Sequence, residues 1–185
     1  MHTIPFLLLD IDGVLIPYPD QDGSSPPSHT RHQVQMSHRT DPVWIWLNHH
    51  HGSLLTETIT TGLLRPVWAT SWRADARHVI APLLGLPDFE HIDLPRLPIT
   101  TSHPDGYLWK RDPVSAWLGD RPAAWIDDDF TDLDQQWANQ RTAAGHPTLL
   151  IQPDHHVGLL PEHLLTALEW ATPLSQRGSA DLGAA

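Results

Sequence analysis

The sequence predicts an α/β fold in which helices cover both faces of a parallel sheet. Three observations predict it. Short continuous apolar runs recur at Phe6-Leu7-Leu8-Leu9, Pro66-Val67-Trp68-Ala69-Thr70 and Ala123-Ala124-Trp125-Ile126, as strands buried on both faces require. Longer stretches carrying helix start and stop signals separate these runs. No internal repeat and no linker divides the 185 residues, a length that fits one domain on the prior of about 100–200 residues.

The elements follow in order. The first strand runs straight into the polar turn Asp10-Ile11-Asp12-Gly13; with no basic residues ahead of it, it reads as a strand and not a signal peptide. Residues 18–33, rich in Pro, Ser, Asp, Gly and His, read as a loop, and Val43–Leu47 as one strand of a small hairpin over it. Asn48 is placed to cap a helix reaching about Thr61, with Gly62 at its end. The second strand, 66–70, leads to a helix from about Ala74 to Leu84 that Gly85 stops. Glu90–Leu94 is a weak strand, and 95–106 a loop. Asp112-Pro113 reads as a helix start, with Asp as cap and Pro at the first helical position. The strand Ala123–Ile126 ends in Asp127-Asp128-Asp129, and a polar helix carrying Leu133 and Trp137 follows. Thr148–Ile151 is the last strand and Pro161–Ala171 the last helix. The organisation expected is one domain over 1–172, a flap at about 15–47 and a disordered tail over 173–185.

Composition narrows the function. Asp and Glu outnumber Lys and Arg by 22 to 11, a formal net charge of −11. That opposes long-range attraction to nucleic acid or an anionic membrane. No apolar run approaches the roughly 18 residues of a membrane span. The absence of cysteine excludes disulfides and Cys-ligated zinc and is compatible with the expected cytoplasmic location. Nine tryptophans read as core and rim packing. Of fourteen histidines, the runs His49-His50-His51 and His155-His156 read as surface features, because consecutive residues do not face one point.

Ligands bind parallel sheets beyond the carboxyl ends of the strands. There the sequence presents Asp10 and Asp12, then Thr70, then Asp127 and Asp128, with Lys110 just before the helix that feeds the strand at 123–126. Converging carboxylates repel one another unless a hard cation neutralises them, and oxygen ligands select magnesium or a similar ion. Lysine and a threonine hydroxyl are suited to phosphate oxygens. Together they describe a phosphoryl-transfer site.

With Asp10-Ile11-Asp12-Gly13-Val14 after an apolar strand, Thr70, Lys110 and Asp127-Asp128 in that order, the chain resembles the haloacid dehalogenase (HAD) superfamily over about residues 6–130. Val67–Trp72 and Ala81–Pro87 also look like uncharacterised actinobacterial members. The resemblance implies a three-layer Rossmann-like sheet of strand order 3-2-1-4-5. It implies that Asp10 attacks phosphorus and forms an aspartyl phosphate, while Asp12 protonates the leaving oxygen and then activates water. Thr70 would bind the phosphoryl group and Lys110 its charge. Magnesium would be held by Asp10, the Asp12 carbonyl and Asp127. Dehalogenating members lack the second aspartate, so a phosphoester is the expected substrate.

Some assignments stay open. Ser71 competes with Thr70, and Arg111 with Lys110. Asp128 could bind metal, orient Lys110 or cap the next helix. Asp129 reads as a solvated helix-start acid, and Asp132 is a weak further metal candidate. Residues 15–66 and 73–109 leave no room for a large cap domain, so the site should be open. The expected partner is a phosphorylated small molecule or nucleotide. A polynucleotide end is disfavoured by charge. The alternative is a non-catalytic phosphoacceptor or binding module.

Overall fold

The computed structural model describes residues 4–21, 23–95 and 102–180. Five parallel strands form the main sheet: β1 (Phe6–Leu9), β4 (Arg65–Trp68), β5 (Glu90–His91), β6 (Ala123–Ile126) and β7 (Thr148–Ile151). Their spatial order is β5-β4-β1-β6-β7, the predicted 3-2-1-4-5. β1 sits at the centre because all four of its residues are apolar and buried. It pairs Leu9 with Trp68 on one side and with Ile126 on the other. Pro66 has no N–H to give, and β5 begins only opposite Val67, so no strand on that side meets the proline.

Successive strand residues point to opposite faces. Leu7, Leu9, Trp68 and Ile126 join one core with Leu55 of α1 (His50–Thr60), Ile80 and Ala81 of the helical segment 76–83, and Leu164 and Ala167 of α5 (Pro161–Ala180). Phe6, Leu8, Val67 and Trp125 join the other with Val114 and Leu118 of α3 (Arg111–Leu118), on the face where Trp137 of α4 (Asp132–Ala143) also packs. The segment 76–83 opens as a π-helical stretch, Ala76–Ile80, and continues as α2 (Ala81–Leu83). An antiparallel hairpin, β2 (Thr30–Val34) with β3 (Val43–Leu47), lays Val34, Ile45 and Leu47 onto the first core. Asp75 ties it down by accepting hydrogen bonds from the Ser37 N–H and hydroxyl, each at 3.0 Å.

The turn after β1 is stitched to the loop after β7. Leu159 N–H donates to the Val14 carbonyl at 2.7 Å, and Tyr18 N–H to the His155 carbonyl at 2.8 Å. Gly158 permits this: at φ +81°, a Cβ there would lie 2.6 Å from the Val14 oxygen.

Several local expectations are corrected. α3 begins at Arg111, with Lys110 and not Asp112 in the capping position. β2 occupies the end of the stretch read as loop. The helix expected to end at Ala171 continues through Pro173 to Ala180; residues 181–185 of the expected tail, and 96–101 of the expected 95–106 loop, lie outside the described residues. Trp44 is exposed, whereas His51 is buried against His29, with ring centroids 5.6 Å apart. Among the described residues, no helix is long and apolar enough to cross a membrane.

Candidate active site at the carboxyl edge of the sheet

β4, β1 and β6 run side by side in one direction, so Thr70, Asp10 and Asp127 emerge at one edge. Asp10, Thr70, Lys110, Asp127 and Asp128 are all buried, and Asp12 is partly exposed. Lys110 reaches in from the start of α3. Its Nζ lies 2.6 Å from Asp10 Oδ2 and 2.6 Å from Asp127 Oδ2. Residues 10, 110 and 127 thus converge on one point despite their separation in sequence. Burial alone would lower the lysine's pKa, but the two carboxylates outweigh it and hold the ammonium above the usual lysine value.

The segment leading to Lys110 is tied to α4 by a residue the sequence reading passed over. Asp134, buried in α4, accepts the Leu108 N–H at 3.0 Å through Oδ2. The same oxygen accepts the Thr131 N–H and hydroxyl in a reciprocal capping box. The Thr-x-x-Asp spacing before a helix was the available signal. Thr131 is the cap of α4, so Asp128 does not cap it, and Asp129 lies outside the helix. Asp132 is exposed and stands apart from the acidic cluster. Arg111 turns away from Asp10, with its guanidinium over the Tyr107 ring and 3.6 Å from Asp134.

The turn after β4 divides the two hydroxyls. Ser71 Oγ donates to Asp12 Oδ2 at 3.2 Å. Thr70 Oγ1 accepts the Trp72 N–H at 3.4 Å, which leaves its own hydrogen free to donate. Trp72 Nε1 donates to both Asp12 oxygens, at 3.0 and 3.1 Å. The turn closes through Arg73, whose φ of +52° is left-handed, a conformation costing a non-glycine residue about 1–2 kcal/mol.

Asp128 packs against the first motif. Gly13 has φ +69°, and a Cβ there would fall 2.1 Å from Asp128 Oδ2. Glycine is therefore required at position 13 both for the turn and for the approach of that carboxyl group. One ligand oxygen from each of Asp10, Asp127 and Asp128 lies within 4.8 Å of the others. Asp128 Oδ1 is buried with no hydrogen-bond partner. Burial, with Asp10 and Asp129 nearby, pushes the Asp128 pKa up to about 7. Burial pushes Asp127 above its ordinary value against the opposing pull of Lys110, and burial together with Asp10 raises Asp12. Crowded, desolvated carboxyl groups with an unpartnered oxygen are what a hard divalent cation would relieve. The all-oxygen donor set fits such an ion.

A family model described as the HAD domain in Swiss Army Knife RNA repair proteins matches residues 6–164. No curated protein and no solved structure matches significantly. The family match spans the sheet and every acid of this site. The chain belongs to that family of HAD domains, and so to the HAD superfamily.

Proposed function

We propose that the protein is a magnesium-dependent phosphomonoester hydrolase in which Asp10 is the nucleophile. The observation that carries the reading is the approach of Lys110 to both Asp10 and Asp127, beside Asp12 two residues along the chain. A buried ammonium at that point can hold a phosphoryl oxygen as charge builds on it. In this reading Asp10 Oδ attacks phosphorus while the bond to the leaving oxygen breaks, and Asp12 gives that oxygen a proton. Water then attacks the aspartyl phosphate, returns a proton to Asp12 and frees inorganic phosphate. The Thr70 hydroxyl, with its hydrogen free, donates to the phosphoryl group. Asp10, Asp127, Asp128 and the Asp12 carbonyl would hold the magnesium ion, which supplies charge neutralisation between carboxylates and phosphate.

A sheet edge over which the described residues form no large cap domain suits a phosphorylated metabolite, a nucleotide or the phosphorylated end of a polynucleotide. The family's description favours the last. The net charge of −11 weakens long-range attraction to it. The non-catalytic alternative leaves unexplained why Ser71 and Trp72 converge on Asp12. The direct test is steady turnover of an aryl phosphate with magnesium, lost on chelation and restored by added metal. A pure protein that gives no turnover of any phosphate ester would overturn the reading.

Cation binding has a separate readout in stability. The folded pKa of Asp128, about 7, lies above its ordinary value of 3.8. A carboxyl raised on folding contributes stability at low pH, and that contribution is lost as pH rises through about 7. Magnesium competes with protons for the same oxygens and should restore it. His51, which burial and His29 hold down to about 4, works the other way as pH falls below 6.5. The magnesium-induced increment in Tm is therefore the quantity to measure. It should reach about 5 °C at saturation, and should be larger at pH 8 than at pH 5. An increment equal at both values would argue against these carboxyl groups as the ligands.

A further inference from the structure

We propose that Trp72 is a positioning residue for Asp12: its indole N–H, together with the Ser71 hydroxyl, fixes the Asp12 carboxyl group in the orientation that delivers its proton to the leaving oxygen. The inference rests on the phosphoester-hydrolase reading above.

Four observations carry it. Asp12 stands partly exposed at an edge over which the described residues form no cap domain. Among the described residues, Ser71 and Trp72 are the side chains that donate hydrogen bonds to it. The indole of Trp72 is itself buried, but differs from the other deeply buried ones. Trp68 and Trp125 bury their Nε1 with no partner, as packing residues do, whereas Trp72 Nε1 is aimed between the two carboxyl oxygens of Asp12. Finally, the turn that presents Ser71 and Trp72 closes through Arg73 in a left-handed conformation, anchored by its guanidinium on Asp93. Strain of this kind persists where the surroundings demand a particular side-chain placement.

The chemistry suits an indole. An indole nitrogen donates and cannot accept, so it can hold Asp12 without taking its proton. Its hydrogen bond is shared between Oδ1 and Oδ2 at nearly equal lengths. Either oxygen can therefore carry the proton while the other keeps the contact, and the group stays in place through both half-reactions. In the first, the Asp12 proton moves to the leaving oxygen as its bond to phosphorus breaks and the Asp10–phosphorus bond forms. In the second, a water proton moves to Asp12 as the water oxygen bonds to phosphorus and the Asp10–phosphorus bond breaks.

Trp72→Phe keeps the apolar bulk and removes the N–H; Ser71→Ala removes the other donor without touching the core. Two esters separate positioning from general damage. The first step with an aryl phosphate needs little proton assistance, so rapid quench should find it within about twofold of wild type. The same step with an alkyl phosphate should fall about tenfold or more in Trp72→Phe, and further with Ser71→Ala added. The indole ¹H–¹⁵N resonance of Trp72 should also shift in Asp12→Ala. If Trp72→Phe does not fold, Ser71→Ala and the resonance shift decide. An active wild type whose variants slow both esters equally, or neither, with the indole resonance unmoved, overturns this inference alone. A wild type inert toward every ester overturns the parent reading, and this inference with it.

Discussion

Asp10→Asn should abolish turnover and leave the fold standing. The change keeps the shape of the side chain and removes the charge proposed to attack phosphorus. Loss of a covalent nucleophile commonly costs about 10⁴-fold or more in kcat. The fold should tolerate it because Lys110 keeps Asp127 as a partner at 2.6 Å. Removal of one carboxylate also relieves the repulsion that Asp10 imposes on Asp12, Asp127 and Asp128. The measurements are kcat on an aryl phosphate and Tm by circular dichroism. A folded variant retaining turnover within tenfold of wild type would rule out Asp10 as the nucleophile.

Asp12→Asn should split the reaction in two. Positioned proton transfer is worth about 10²–10⁴ in rate. An aryl leaving group departs with little help, so the first step should continue and release about one equivalent in a burst. The second step needs a base and should stall. Mass spectrometry of the stalled protein should find one phosphoryl group, located on Asp10. Alkyl phosphates should show no burst. No burst and no adduct, with both esters slowed alike, would make Asp12 a structural acid.

The frame of the candidate site was legible because chemistry and topology coincide at strand ends. An apolar run that stops at an acid states both where the strand ends and what it presents there. That logic found Asp10, Thr70 and Asp127, and the parallel sheet that aligns them. It could not find Trp72. The residue lies two positions beyond Thr70, in a turn whose direction depends on the backbone of Arg73, and tryptophan in a buried segment reads as packing. Nor could it separate Ser71 from Thr70, since adjacent hydroxyls differ only in where the turn aims them. Asp112 looked like a cap because Asp-Pro is a strong local signal. The helix starts earlier because Lys110 is pulled inward by two carboxylates and Leu108 is fixed by Asp134. His51 carried no apolar signature, yet it is buried with its ring against His29, just ahead of the hairpin.

The stitching of the Val14–Tyr18 turn to residues 155–159 bears on how the protein is made. Asp10, the proposed nucleophile, follows directly on the strand that must become the sheet's centre. Its neighbours, β4 and β6, emerge some 60 and 120 residues later, and the loop that braces its turn follows β7. Almost every contact that shapes the site is long-range, a topology that folds slowly. A nascent chain on the ribosome therefore carries Asp10 without a complete site around it until the segment around Leu159 has emerged. Catalytic competence should arrive late and abruptly, once the segment around Leu159 is free to dock.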